Sequence, residues 1–121
     1  MNWEYPFYIF VSLIFAHSLT DLALQPDHIG LRKNRLYHHI RFDGSKIYHH
    51  WPYYLVGHGL INGTGVWLVT TSVTLGLAES LAHSIIDFTS CERWIPFWLD
   101  QVLHVFCKVA WVFCWITWYP L

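Results

Sequence analysis

Four stretches of this chain are long and apolar enough to be membrane helices, and that constrains its fold more than any other feature. They run from about Trp3 to Leu24, Pro52 to Val69, Val73 to Cys91 and Trp94 to Trp118. Each covers ~17–24 residues, the length at which a helix crosses a hydrocarbon core. The third is the least apolar, because Glu79, His83 and Asp87 interrupt it. Pro26 follows the first segment and stops it. Pro96 is expected in the first turn of the fourth, where a missing N–H costs nothing. Composition agrees: apolar residues make up 55 % and charged residues 12 %, about half the charge of a soluble domain. The 8 Trp, 7 Tyr and 8 Phe suit a membrane–water interface, which satisfies both an apolar ring and a polar edge. The net charge of −1 says nothing about nucleic acid, and no nucleic-acid partner is expected.

The first four residues carry no basic start and no small-residue cleavage site follows the first apolar run, so that run is expected to stay as a helix. Cys91, Cys107 and Cys114 show no CxxC spacing and read as small buried hydrophobes. The basic residues set an orientation. Arg32, Lys33, Arg35, Arg41 and Lys46 all lie in a polar stretch over 25–51, with an Asp43-Gly44 turn inside it, and Arg93 lies between the third and fourth segments. The positive-inside rule puts that loop in the cytoplasm and both termini outside. The expectation is an all-α polytopic membrane protein, residues 1–121 forming a single domain of four transmembrane helices in a bundle. Gly59 and Gly63 make a GxxxG step on the second segment, which lets another helix approach closely. The lipid bilayer is the expected partner, with other membrane proteins or further copies of the chain as additional ones.

Three segments repeat one local device. His17 and Asp21, His83 and Asp87, and Asp100 and His104 are each four residues apart, hence on one helix face. Each pair offers an imidazole nitrogen and a carboxylate oxygen in one direction, as helical metal ligands do. Gln25 extends the first face and Glu79 the third. Counted from the loop end of each helix, Asp21 and Asp87 lie roughly 6 Å in, His58 and Asp100 roughly 9 Å, His17 and His83 roughly 12 Å and His104 roughly 15 Å. Four helices thus bring His17, Asp21, His58, His83, Asp87, Asp100 and His104 to one layer. Ionisable groups in a bilayer are costly and must neutralise one another or bind something. The layer reads as a site for a divalent metal. The competing readings are a hydrogen-bond network that fixes helix packing and a proton relay. Deeper still, Glu79 at roughly 18 Å and Lys108 at roughly 21 Å have opposite sign and are expected to pair. The four loop histidines of Tyr37-His38-His39-Ile40 and Tyr48-His49-His50-Trp51, and His28, read as interfacial groups.

Several of these motifs also occur together in a known family. His17-Ser-Leu-Thr-Asp21-Leu-Ala-Leu-Gln25, Gly57-His58-Gly59-Leu60-Ile61-Asn62-Gly63, His83-Ser-Ile-Ile-Asp87 and Leu99-Asp100-Gln101-Val-Leu-His104 resemble, in order and spacing, a bacterial and phage membrane family catalogued as domain of unknown function 3307. Asn62 stands where that family often has a second histidine. The resemblance implies a four-helix protein of a bacterial inner membrane, or of the host membrane for a phage-encoded chain, and implies no reaction. The ligand pattern is also similar in style to membrane-bound metal-dependent hydrolases.

Histidine nitrogen with carboxylate oxygen suits zinc, iron or manganese, and seven ligands suffice for one or two ions. The corresponding enzymatic expectation is metal-dependent hydrolysis of a membrane-associated substrate, with Asp100 as ligand or general base and His58 completing the shell or donating to substrate. The non-enzymatic alternative is a membrane subunit, an assembly or interaction protein in which the cluster staples the helices.

Overall fold

A computed structural model describes residues 3–38 and 49–119. The described chain is all-α. Helix α1 (Glu4–Ser18) continues through one π-helical turn (Leu19–Ala23). Two short helices follow, α2 (Asp27–Arg32) and α3 (Arg35–His38). Three long helices complete the chain: α4 (Trp51–Thr70), α5 (Val73–Cys91) and α6 (Phe97–Trp118). Helix α4 packs against α5, α5 against α6, α6 against α1 and α1 against α4, so the four long helices enclose one interior. The α1 segment over Glu4–Ala23 and helix α6 are long and apolar enough to cross a membrane. Helices α4 and α5 have similar length, but polar residues facing the interior dilute their apolar character.

The structure corrects the sequence expectation in three places. The fourth helix starts at Phe97, with Pro96 outside it as an extended N-cap, so Trp94 and Ile95 lie in the preceding turn. That turn is consumed by the end of α5: Arg93 adopts a left-handed φ of 61° and the Trp94 N–H reaches back to the Thr89 carbonyl at 3.0 Å. The polar stretch after Pro26 is partly helical. Pro26 caps α2 with Asp27 in its first turn, and Asn34 Oδ1 accepts the Leu36 N–H at 2.9 Å to start α3. Arg35 then holds Glu92 at 2.5 and 2.8 Å, tying α3 to the end of α5, and this hydrogen bonding keeps the Glu92 carboxyl below its usual range. Finally, Asp21 sits in the π turn and not on a regular α face. The single Thr20 hydroxyl proton has the Ala16 and His17 carbonyls (2.9 and 3.2 Å) and Asn62 Oδ1 (2.6 Å) as alternative acceptors, and the Leu24 N–H closes onto the Leu19 carbonyl in the π pattern. The Asp43-Gly44 turn and most of the Tyr-His-His repeat fall outside the described residues.

The distribution of polarity is inverted. Among the described residues, thirteen polar or charged ones are buried against seven hydrophobic ones, and the large exposed side chains include Phe15, Leu22, Leu81, Phe106 and Phe113. The apolar core of Leu13, Val66, Leu75, Val112 and Trp115 fills only the end of the interior near the α4–α5 turn. There Trp115 Nε1 donates to the Thr70 carbonyl at 3.1 Å, and Ser72 Oγ caps α5. The polar residues occupy the rest.

Helices α4 and α5 touch along the GxxxG face. A Cβ on Gly59 would lie 2.7 Å from the Ser80 carbonyl, and one on Gly63 would collide with Ser80 Oγ and the Gly76 carbonyl. Backbone cannot yield as a flexible side chain can. Gly63→Ala is therefore expected to lower stability by about 1–3 kcal/mol, the usual cost of overpacking. Gly57→Ala, whose Cβ would meet nothing within 4 Å, should be neutral or stabilising. Thermal unfolding of the two variants in detergent measures the difference.

Candidate metal centre

The seven residues expected in one layer meet in the interior. His83 of α5, 1 % exposed, sits at the centre. Its ring lies 4.2 Å from that of His104, 4.9 Å from His58 and 5.9 Å from His17, centroid to centroid. Two carboxylates divide their oxygens between the halves of the cluster. Asp21 Oδ1 is 2.9 Å from His58 Nε2 and 3.4 Å from His83 Nε2, while its Oδ2 is 3.9 Å from His17 Nε2. Asp87 Oδ2 is 3.6 Å from both His58 Nε2 and His83 Nε2, while its Oδ1 is 3.3 Å from His104 Nε2. Asp100 lies at the edge, with Oδ1 3.7 Å from His104 Nε2 and Oδ2 accepting from Gln101 at 2.9 Å. Glu79 also enters, 3.5 Å from His83 Nδ1.

Three groups of three residues can each hold a metal ion: Asp21, His58 and His83; His83, Asp87 and His104; and His17, Glu79 and His83. The spacing fits. Most of these separations exceed a hydrogen bond. They match the edge of a tetrahedron whose corners lie 2.0–2.1 Å from its centre, about 3.4 Å. The unpartnered atoms agree. Among the described residues, His83 Nε2 and the Nδ1 atoms of His17, His58, His83 and His104 have no hydrogen-bond partner, nor does Asp100 Oδ1. Buried polar atoms are seldom left so. Charge balance points the same way. Among the described residues, Asp21, Asp87, Asp100 and Glu79 face two cations, Lys33 and Lys108, which leaves two negative charges with neutral histidines.

Lys33 was not anticipated at the site. Its ammonium, on the turn after α2, makes a short ion pair with Asp87 Oδ2. The signal available in the sequence was a loop rich in cations next to an aspartate one turn inside a helix. Asn62 does not replace a ligand. Its amide points at His58 Nε2 (3.4 Å) and the His58 carbonyl (3.2 Å), while its Oδ1 accepts from Thr20 at 2.6 Å, so it orients His58. Gln25 Nε2 donates to the Asp21 carbonyl at 3.1 Å. A cavity of ≈ 260 Å³ opens at the loop end, lined in part by Asp21, Gln25, Lys33, Asp87 and Asp100. The opposite end is closed by the apolar core.

Below the histidines, Lys108 Nζ lies 2.5 Å from Glu79 Oε1, and Trp111 Nε1 donates to Glu79 Oε2 at 2.5 Å. The pair is 1 % and 0 % exposed. Breaking a buried pair strands a charge, at roughly 3–5 kcal/mol, whereas removing both partners does not. Glu79→Gln and Lys108→Met should therefore each destabilise the protein more than the double substitution does. Strictly additive losses in a double-mutant unfolding cycle would contradict the pairing.

Compared with known protein families, curated proteins and solved structures, the chain matches none.

Proposed function

We propose that this chain is a four-helix integral membrane protein whose His/Asp cluster holds one or two divalent ions, zinc or iron/manganese, and hydrolyses a membrane-associated substrate. The observation that carries the metal reading is the overlap of three ligand groups on His83 at separations that suit a shared ion. The apolar exterior and polar interior support membrane residence, since lipid and not water is the natural neighbour of such a surface. The motif resemblance to the family known as domain of unknown function 3307 supports the same architecture. The basic residues at the loop end argue for a cytoplasmic loop and outward termini.

One ion fits Asp21 Oδ1, His58 and His83; the groups His83, Asp87 and His104, and His17, Glu79 and His83, offer the other positions. Bound there, a divalent ion would lower the pKa of a water and polarise an ester or phosphoester oxygen. Asp100, buried and facing the loop-end cavity, is suited to accept a proton from that water. Lys33 supplies positive charge at the same cavity. The structural alternative needs two imidazolium ions in place of the metal. Their N–H groups would then lack acceptors at several buried Nδ1 atoms, which is expensive.

Metal analysis of detergent-purified protein tests the proposal. Wild type should contain metal; His83→Ala and Asp87→Ala should each lose most of it, and the exposed His50→Ala should not. Metal-free wild type, or unchanged content in both site variants, would replace the ion with a hydrogen-bond network. Orientation is tested on a background lacking the native cysteines. Ser45→Cys should resist an impermeant thiol reagent on intact cells, while Val73→Cys at the other end should react. The reverse pattern would invert the topology.

A further inference from the structure

An imidazole that binds a metal through one ring nitrogen carries a proton on the other, and that N–H needs an acceptor. In all four histidines of the cluster Nε2 is the nitrogen that faces the aspartates. His17, His58 and His83 turn it toward Asp21, and His104 toward Asp87 and Asp100. Their four Nδ1 atoms are buried without a hydrogen-bond partner. Among the described residues only His83 turns Nδ1 toward a carboxylate, that of Glu79, with Oε1 at 3.5 Å. The separation exceeds a hydrogen bond by a few tenths of an ångström.

Glu79 is held for that place from two sides. It precedes His83 by four residues on α5 and so shares its face. From α6, one donor reaches each of its oxygens: Lys108 Nζ on Oε1 and Trp111 Nε1 on Oε2, both at 2.5 Å. Lys108 and Trp111 are three residues apart on one helix, so they approach from one direction. Lys108 balances the Glu79 charge, which therefore adds nothing to the two negative charges left over in the cluster. The same contacts argue against Glu79 as a ligand. In the group His17, Glu79 and His83 both Glu79 oxygens already hold donors, and the Lys108 ammonium adjoins the place, which disfavours a further cation.

We infer that Glu79 is a positioning residue of the metal centre: fixed by Lys108 and Trp111, it accepts the Nδ1–H of His83 and so presents Nε2 as the ligand atom on the side of Asp21 and Asp87. A carboxylate behind a ligand histidine fixes its tautomer and ring orientation and raises its basicity toward a metal. The buried pair thus does more than join α5 to α6, because it sets the central ring of the cluster. The inference rests on the metal reading above and reduces the three ligand groups to the two that contain an aspartate.

Zinc titration and nitrogen NMR of the whole protein in detergent test it. Both partners of the pair are changed together, so that no charge is stranded. Glu79→Gln with Lys108→Met keeps an acceptor behind His83; Glu79→Leu with Lys108→Met does not. Competition with a chromophoric chelator should show zinc affinity about 10–100-fold weaker than wild type in the leucine double variant. The glutamine double variant should recover most of that loss. In zinc-loaded wild type carrying isotope-labelled histidine, the His83 ring, identified by its absence in His83→Asn, should be protonated at Nδ1 and metal-bound at Nε2. This second readout needs no variant at position 79 to fold. Unchanged affinity in the leucine double variant, equal loss in both double variants, or a His83 ring protonated at Nε2 would overturn the inference and leave the metal centre standing. A wild type that binds no zinc would overturn both.

Discussion

Four carboxylates enclosed by helices with apolar outer faces are the constraint on which the rest of the structure depends. None of Asp21, Asp87, Asp100 and Glu79 is more than 8 % exposed. Desolvating one such group without compensation costs several kcal/mol, so each must find a cation or a donor. Glu79 has Lys108 and Trp111, and Asp87 has Lys33. Among the described residues, the Asp21 carboxylate has imidazoles as neighbours, and Asp100 has the His104 imidazole and the Gln101 amide. The helices are therefore held in register by charge as well as by shape. Lys33 has a second consequence. It fixes the start of the loop against the mouth of the site, and Arg35–Glu92 fixes the next turn. The two short helices α2 and α3 thus belong to the site and are not a passive connection.

Two backbone devices turn this charge balance into a geometry. The close α4–α5 contact at Gly59 and Gly63 brings His58 and His83 to a ring separation of 4.9 Å. The π turn does the same for Asp21. Across this turn His17 Nε2 and Asp21 Oδ2 are 3.9 Å apart, slightly more than in the His83–Asp87 and Asp100–His104 pairs on regular α turns (3.6 and 3.7 Å), and Asp21 reaches across to His58 at 2.9 Å. Isolated π turns recur at functional sites for this reason: they re-aim one side chain without ending the helix.

The layer of seven residues was legible in the sequence because it rests on two robust quantities, the rise per residue and the four-residue repeat. Helix α5 was delimited to the residue, since Ser72 caps it and Arg93 ends it. The Glu79–Lys108 pair followed from depth and sign alone. What escaped was tertiary or cooperative. No local signal separates a π turn from an α turn at Thr20, because the competing acceptor arrangement depends on Asn62 across the interior. Lys33 looked like one cation among five in the loop, and its partner lies 54 residues away. The start of α6 was placed too early because proline suits both the first turn and the cap; the left-handed turn at Arg93 decides between them.

The arrangement also bears on the proton-relay alternative. A relay across the bundle needs titratable groups from one end of the interior to the other. Here they run from Lys33 through Asp87, His83 and Glu79 to Lys108 and then meet Leu13, Val66, Leu75, Val112 and Trp115. The Trp115 indole is committed to the Thr70 carbonyl, and Thr70 donates back to Val66 at 2.8 Å, so the side-chain groups there are spent on capping the α4–α5 turn. Polar access therefore exists from the loop end, and the far end is closed by apolar packing, so the described titratable groups do not form a continuous path from one end of the interior to the other.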